Sequence, residues 1–117
     1  MKKIFSLLIV FFVGLASFAQ DDVKTLHETA KTFMRSGDFD NAVIVLTRAL
    51  QQDKKNLELQ KDLVMSYYLK RDYSKALEGV KSSLDRDDAD GICFQLGGNV
   101  YKALEEAKEC EKVYKKG

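Results

Sequence analysis

The sequence predicts an all-α chain, an α-solenoid of antiparallel helix hairpins with about two and a half to three repeats after an N-terminal signal peptide. Three observations carry that prediction. Gly37-Asp38-Phe39, followed by Ala42, Leu46 and Ala49-Leu50, returns 34 residues later as Arg71-Asp72-Tyr73, followed by Ala76, Val80 and Ser83-Leu84. Between Val23 and Tyr114 the apolar positions recur at three and four, the helical period, with no sustained two-residue alternation. The chain contains no proline, and its breaks are short and polar. A fixed period of this size marks a stack of supersecondary units, each covering its neighbour's apolar face.

Lys2 and Lys3 form a positive start, Ile4 to Ala16 is an apolar run interrupted only by Ser6 and Gly14, and Ser17-Phe18-Ala19 supplies small residues for cleavage. This three-part pattern predicts a signal peptide over residues 1–19, removed after Ala19, and hence export to a periplasm or the outside. The apolar run is shorter than the ~20 residues of a spanning helix, and no basic cluster follows it. Residues 20–117 then form the repeat domain. Losing Lys2 and Lys3 changes the formal charge from +1 to −1. An intermixed, near-neutral surface offers no electrostatic footprint for nucleic acid or an anionic membrane.

The helices follow in order. Leu26, Ala30 and Phe33 make one helical stripe, predicting a helix over 23–35. Val43, Leu46, Ala49 and Leu50 predict the next over 39–52, and Leu59, Leu63 and Tyr67 a third over 57–70. Helices over 73–86, 91–104 and 107–116 complete the set. The breaks Ser36-Gly37-Asp38, Asp53-Lys54-Lys55-Asn56, Lys70-Arg71-Asp72 and Asp87-Asp88-Ala89-Asp90 each end in Asp or Asn, which can cap the following helix. The repeats run 23–56, 57–90 and a partial 91–117. The third stops early, so Tyr101, Val113 and Tyr114 are expected to leave an apolar face open to self-association, or to chain beyond Gly117.

These residues resemble the tetratricopeptide repeat family, whose 34-residue unit has small residues where its two helices cross. Ala30, Phe33, Gly37-Asp38-Phe39, Ala42, Leu46 and Ala49 match in the first unit. Val64, Tyr67, Asp72-Tyr73, Ala76, Val80 and Ser83 match in the second, and Gly98, Tyr101, Cys110 and Tyr114 in the third. The early tryptophan position of the family holds Leu26, Gln60 and Phe94, and its closing proline is replaced by Lys54 and Asp88. The resemblance implies a protein or peptide partner held in a concave groove lined by the first helix of each unit. The groove positions fall on Lys24, His27, Lys31 and Met34, then Glu58, Lys61, Met65 and Tyr68, then Ile92, Gln95, Asn99 and Lys102. Lys61 stands at the lysine of a carboxylate clamp found in some relatives, whereas Met65 replaces the asparagine that should follow.

No chemical motif competes with this reading. Gly97-Gly98 lacks the Lys-Ser/Thr of a phosphate loop, so Gly98 is expected to serve helix packing. From Asp85, the acidic stretch Asp85, Asp87, Asp88, Asp90 loses the calcium-loop pattern after two ligands. His27 is the only histidine, and neither it nor Cys93 has the spacing of a catalytic triad. Two cysteines and one histidine lack the spacing of a zinc site. If 91–104 and 107–116 paired as a hairpin, Cys93 and Cys110 would lie about 12 Å apart along it, too far for a disulfide. The expectation is a non-enzymatic interaction module that binds a polypeptide in the groove or stacks edge-on with another helical repeat, with no cofactor, no metal and no small-molecule substrate. The alternative is a self-assembling spacer of the cell envelope with no peptide ligand.

Overall fold

The computed structural model describes residues 22–116, with side-chain surroundings through Lys108; the expected signal segment 1–19 and Gly117 lie outside the described residues. Among these residues five helices follow one another: α1 (Val23–Arg35), α2 (Phe39–Gln52), α3 (Leu57–Leu69), α4 (Tyr73–Leu84) and α5 (Gly91–Lys116). Among the described residues there is no strand.

Each helix begins where an Asp or Asn side chain accepts an otherwise unsatisfied backbone N–H. Asp22 accepts from Lys24, Asp38 from Asn41, Asn56 from Leu59 and Asp72 from Lys75, at 3.2–3.3 Å. Asp90 Oδ1 does the same for Cys93 at 3.1 Å. The two hairpin turns are copies of one another. Gly37 and Arg71 take left-handed backbone, at φ 79° and 69°. The N–H of Asp38 then donates to the Phe33 carbonyl and that of Asp72 to the Tyr67 carbonyl, both at 2.9 Å. This is a Schellman closure, which satisfies the last carbonyls of α1 and α3 and reverses the chain.

Packing is sequential. Leu26 and Ala30 of α1 meet Leu46 and Ala49 of α2, and Leu59 of α3 closes that cluster. Val64 of α3 meets Ala76 and Val80 of α4, and Leu96 and Val100 of α5 close the second. Each hairpin is thus sealed by the first helix of the next unit, as the 34-residue recurrence requires. No helix among the described residues is long and apolar enough to cross a membrane.

The expected final hairpin is absent. Residues 91–116 form one continuous helix in place of helices over 91–104 and 107–116. One period after Arg71-Asp72-Tyr73 the chain reads Glu105-Glu106-Ala107. It offers neither an Asp/Asn cap nor a left-handed residue, and all three are good helix formers. The cysteines therefore sit on a single rod, about 25 Å apart along its axis. Cys93 is buried with a free thiol. Gly98 is a second correction to the expectations: it is exposed, and a Cβ added there would meet nothing within 4 Å. Its neighbour Gly97 makes the close approach instead: a Cβ added there would lie 3.2 Å from Val80 Cγ1.

Candidate partner-binding face

The first helices of the three units, α1, α3 and α5, lie side by side. α3 packs on α5, and His27 Nε2 of α1 meets Asp62 Oδ2 of α3 at 2.6 Å. The groove candidates separate into three groups on this layer. Lys24 and Lys31 on α1, Glu58 on α3, and Ile92, Gln95, Asn99 and Lys102 on α5 are exposed. Met34, Met65 and Tyr68 are half-buried, with Met34 against the first apolar cluster and Met65 and Tyr68 against the second. The Tyr68 ring also stacks at a tilt on Tyr73, 5.9 Å between centroids.

The remaining two, His27 and Lys61, are committed to partners within the chain. Lys61, expected on an open groove, is only 6% exposed. Its ammonium lies 2.7 Å from both Asp90 Oδ2 and Glu58 Oε1. A buried ammonium requires such partners, because desolvation without them costs several kcal/mol. The two carboxylates raise the Lys61 pKa well above the ordinary lysine range. Conversely, Lys61, helped by the Cys93 N–H, holds the Asp90 carboxyl down at about 2. This pair ties α3 to the cap of α5, so its role is structural.

Periodicity alone did not reveal the polar joints. Asp62 is one residue away from a groove position, and Asp90 pairs with Lys61 as well as capping α5. Arg86 forms a further joint outside the groove stripe. It donates to Asp88 at 2.7 Å, to Gln60 Oε1 at 3.1 Å and to the Lys55 carbonyl, pinning the turn after α4 onto the turn before α3. The signal available was complementarity between ionisable residues about one period apart: His27 with Asp62 and Lys61 with Asp90.

Three exposed ammonium groups thus remain on the layer without an ion pair among the described residues: Lys24, Lys31 and Lys102. Gln95 and Asn99 add amide donors and acceptors beside Lys102. Such a surface can bind carboxylates and the backbone of an extended chain. Behind it, α2, α3 and α4 line an open cleft of about 300 Å³, in which Leu50, Leu63, Val64 and Tyr67 are joined by Thr47, Gln60, Lys75 and Glu78. That is the lower limit of ligand-pocket size. Among the described residues no three His, Cys, Asp or Glu converge on a possible metal position.

Residues 33–95, from the last turn of α1 into α5, match the family model described as tetratricopeptide repeat. No curated protein matches the chain.

Proposed function

The chain belongs to the tetratricopeptide repeat family, whose repeats mediate protein–protein interaction, and from that premise we propose an exported, non-enzymatic module that holds a polypeptide against its α1–α3–α5 face. The single observation that carries this reading is the contrast among the lysines of that layer. Lys61 is saturated by two carboxylates, whereas Lys24, Lys31 and Lys102 are exposed and have no ion pair among the described residues. A partner segment carrying carboxylates, in extended or helical form, matches these cations and the neighbouring amides. Ile92 and the half-buried Met65 provide adaptable apolar contact beside them. The export part of the reading rests on residues 1–19, and a bacterial cell envelope is the natural setting for such a leader.

The test uses the chain expressed from Met1 in cells that make it. A photo-crosslinking side chain placed at Lys31 or Asn99 should capture a polypeptide, and one placed at Arg48 on α2 should not. Reversing Lys24 and Lys31 to Glu should then abolish capture while leaving the circular dichroism unchanged. Undiminished capture by that variant rejects this face as the binding site. The mass of the purified chain tests export separately: loss of residues 1–19 is expected, and retention contradicts it.

A further inference from the structure

The 34-residue period sets equivalent residues of α1, α3 and α5 side by side, so positions on their common face form rows across the layer. Two contacts fix that alignment. His27 of α1 meets Asp62 of α3, 35 residues on. Val64 of α3 packs with Leu96 and Val100 of α5, which flank its equivalent at 98. The rows differ in chemistry. Near the helix N-termini, Lys24, Glu58 and Ile92 place a carboxylate between a cation and an apolar side chain. Toward the C-terminal ends, Lys31, Met65 and Asn99 form one row and Met34, Tyr68 and Lys102 the next. Across these two rows the half-buried Met34, Met65 and Tyr68 make an apolar strip. An exposed ammonium stands at either end of it, Lys31 on α1 and Lys102 on α5, and neither row contains an acidic residue.

We infer, resting on the reading of this face as the binding surface, that the partner crosses its C-terminal half as an extended segment with two acidic residues about six apart and apolar residues between them. Helices packed side by side lie about 8–10 Å apart, which separates α1 from α5 by about 16–20 Å. An extended chain rises about 3.3 Å per residue, so residues six apart span ~20 Å and project to the same side. Carboxylates at those two positions meet Lys31 and Lys102. The two alternate residues between them project to that side as well and fall on the strip of Met34, Met65 and Tyr68, whose thioethers adapt to their shape.

The exposed amides of Gln95 and Asn99 favour an extended partner over a helical one. An extended segment brings unpaired backbone N–H and C=O groups, and a side-chain amide can donate to the one and accept from the other. A helix has already satisfied those groups internally. Glu58 sets the half of the layer that is used. Its exposed carboxylate stands in the first row, where it repels the acids that the other two rows attract.

The experiment is fluorescence anisotropy of the chain expressed from Met1 with an end-capped, dye-labelled probe peptide, Asp-Ser-Leu-Ser-Leu-Ser-Asp. The probe should bind at low ionic strength and weaken as salt is raised. Lys31→Gln and Lys102→Gln should each weaken it about threefold, the size of a solvent-exposed ion pair, and together about tenfold. Arg48→Gln, on the exposed side of α2, should leave binding unchanged. Replacing both Asp of the probe by Asn, or both Leu by Ser, should cost about tenfold or more. Absence of probe binding overturns the inference, as does equal binding of a peptide with its acids three apart. So does tighter binding of a helix-forming peptide with its acids eleven apart, which span ~16 Å in a helix. Capture by the crosslinking side chain at Lys31 reports on the face whichever peptide binds, so failure of this partner pattern and failure of the face are separate results.

Discussion

Three glycines on the packed helices should respond to alanine in three different ways, and the structure sets the size of each response. A Cβ at Gly79 of α4 would lie 2.6 Å from Val64 Cγ2. Val64 is wholly buried on α3 and β-branched, and its χ1 has one strongly preferred well in a helix, so its methyl cannot swing aside. The helices must separate by several tenths of an ångström, an overpacking that costs ~1–3 kcal/mol. Exchanging Gly for Ala in a helix interior returns ~1 kcal/mol. The net expectation for Gly79→Ala is a loss of about 1 kcal/mol, or a Tm lower by ~4–8 °C for a domain of this size. At Gly98 the added methyl meets nothing, so the propensity gain stands alone and Tm should rise by a similar amount. Gly97→Ala, at 3.2 Å from Val80 Cγ1 and 3.4 Å from Leu84 Cδ1, should fall between the two, near zero. Urea unfolding of the three variants measures this order. Adding Val64→Ala to Gly79→Ala removes the offending methyl and should yield a favourable coupling of at least ~0.5 kcal/mol. If Gly79→Ala is as stable as Gly98→Ala, the closeness of the α3–α4 crossing is refuted.

The remaining predictions concern the joints and turns. Asp90 is held down at about 2, against an ordinary carboxyl near ~3.9 in the unfolded chain. A depressed carboxyl contributes stability above its unfolded value and loses it as pH falls, here between about 4 and about 2. Asp90→Asn should flatten that stretch of the stability–pH curve, and an unchanged slope would remove the Lys61–Asp90 pair from acid stability. Arg71 holds a left-handed conformation that costs a non-glycine residue ~1–2 kcal/mol. Arg71→Gly should therefore stabilise by roughly 0.5–1 kcal/mol in urea unfolding after the extra unfolded-state entropy of glycine is subtracted, while Gly37→Ala should destabilise by a comparable amount.

The first four helices were legible because each carries its own start and stop. Asp22, Asp38, Asn56 and Asp72 cap as their residue types suggest, and Gly37 turns the chain where only a left-handed residue fits. The second turn was found through the period rather than its chemistry, since Arg is a poor left-handed residue and is held there by the closure around Asp72. The same reliance on the period misplaced the end of the chain. Extending the frame by 34 residues suggested a hairpin at Glu105-Glu106, although none of the local turn signals recurs there. A period records where units would sit, whereas caps and left-handed residues decide whether the chain bends. Lys61 illustrates a different limit. Its place on the groove stripe is correct by spacing, but its burial depends on Asp90, which reaches it from across the next turn.

The polar joints also constrain how a polypeptide can lie on the α1–α3–α5 layer. Apolar sealing runs from each hairpin to the next first helix, while on the layer itself His27 and Asp62 hold α1 to α3, and Lys61 and Asp90 hold α3 to the start of α5. A ligand that wedged between these helices would have to replace bonds of 2.6–2.7 Å made by partly desolvated polar groups, which are expensive to leave unmade. Lys24 and Lys31 stand one turn to either side of His27 on the same face of α1 and meet no such competition. On the proposed reading, acidic groups of a partner would be received along the ridge of α1, with the chain crossing above the His27–Asp62 joint toward Gln95 and Asn99. Weakening the joint by Asp62→Asn should loosen α1 from α3 without removing the two lysines. If capture through Lys24 and Lys31 depended strictly on Asp62, the ligand would have to enter the cleft, and the ridge geometry would be wrong.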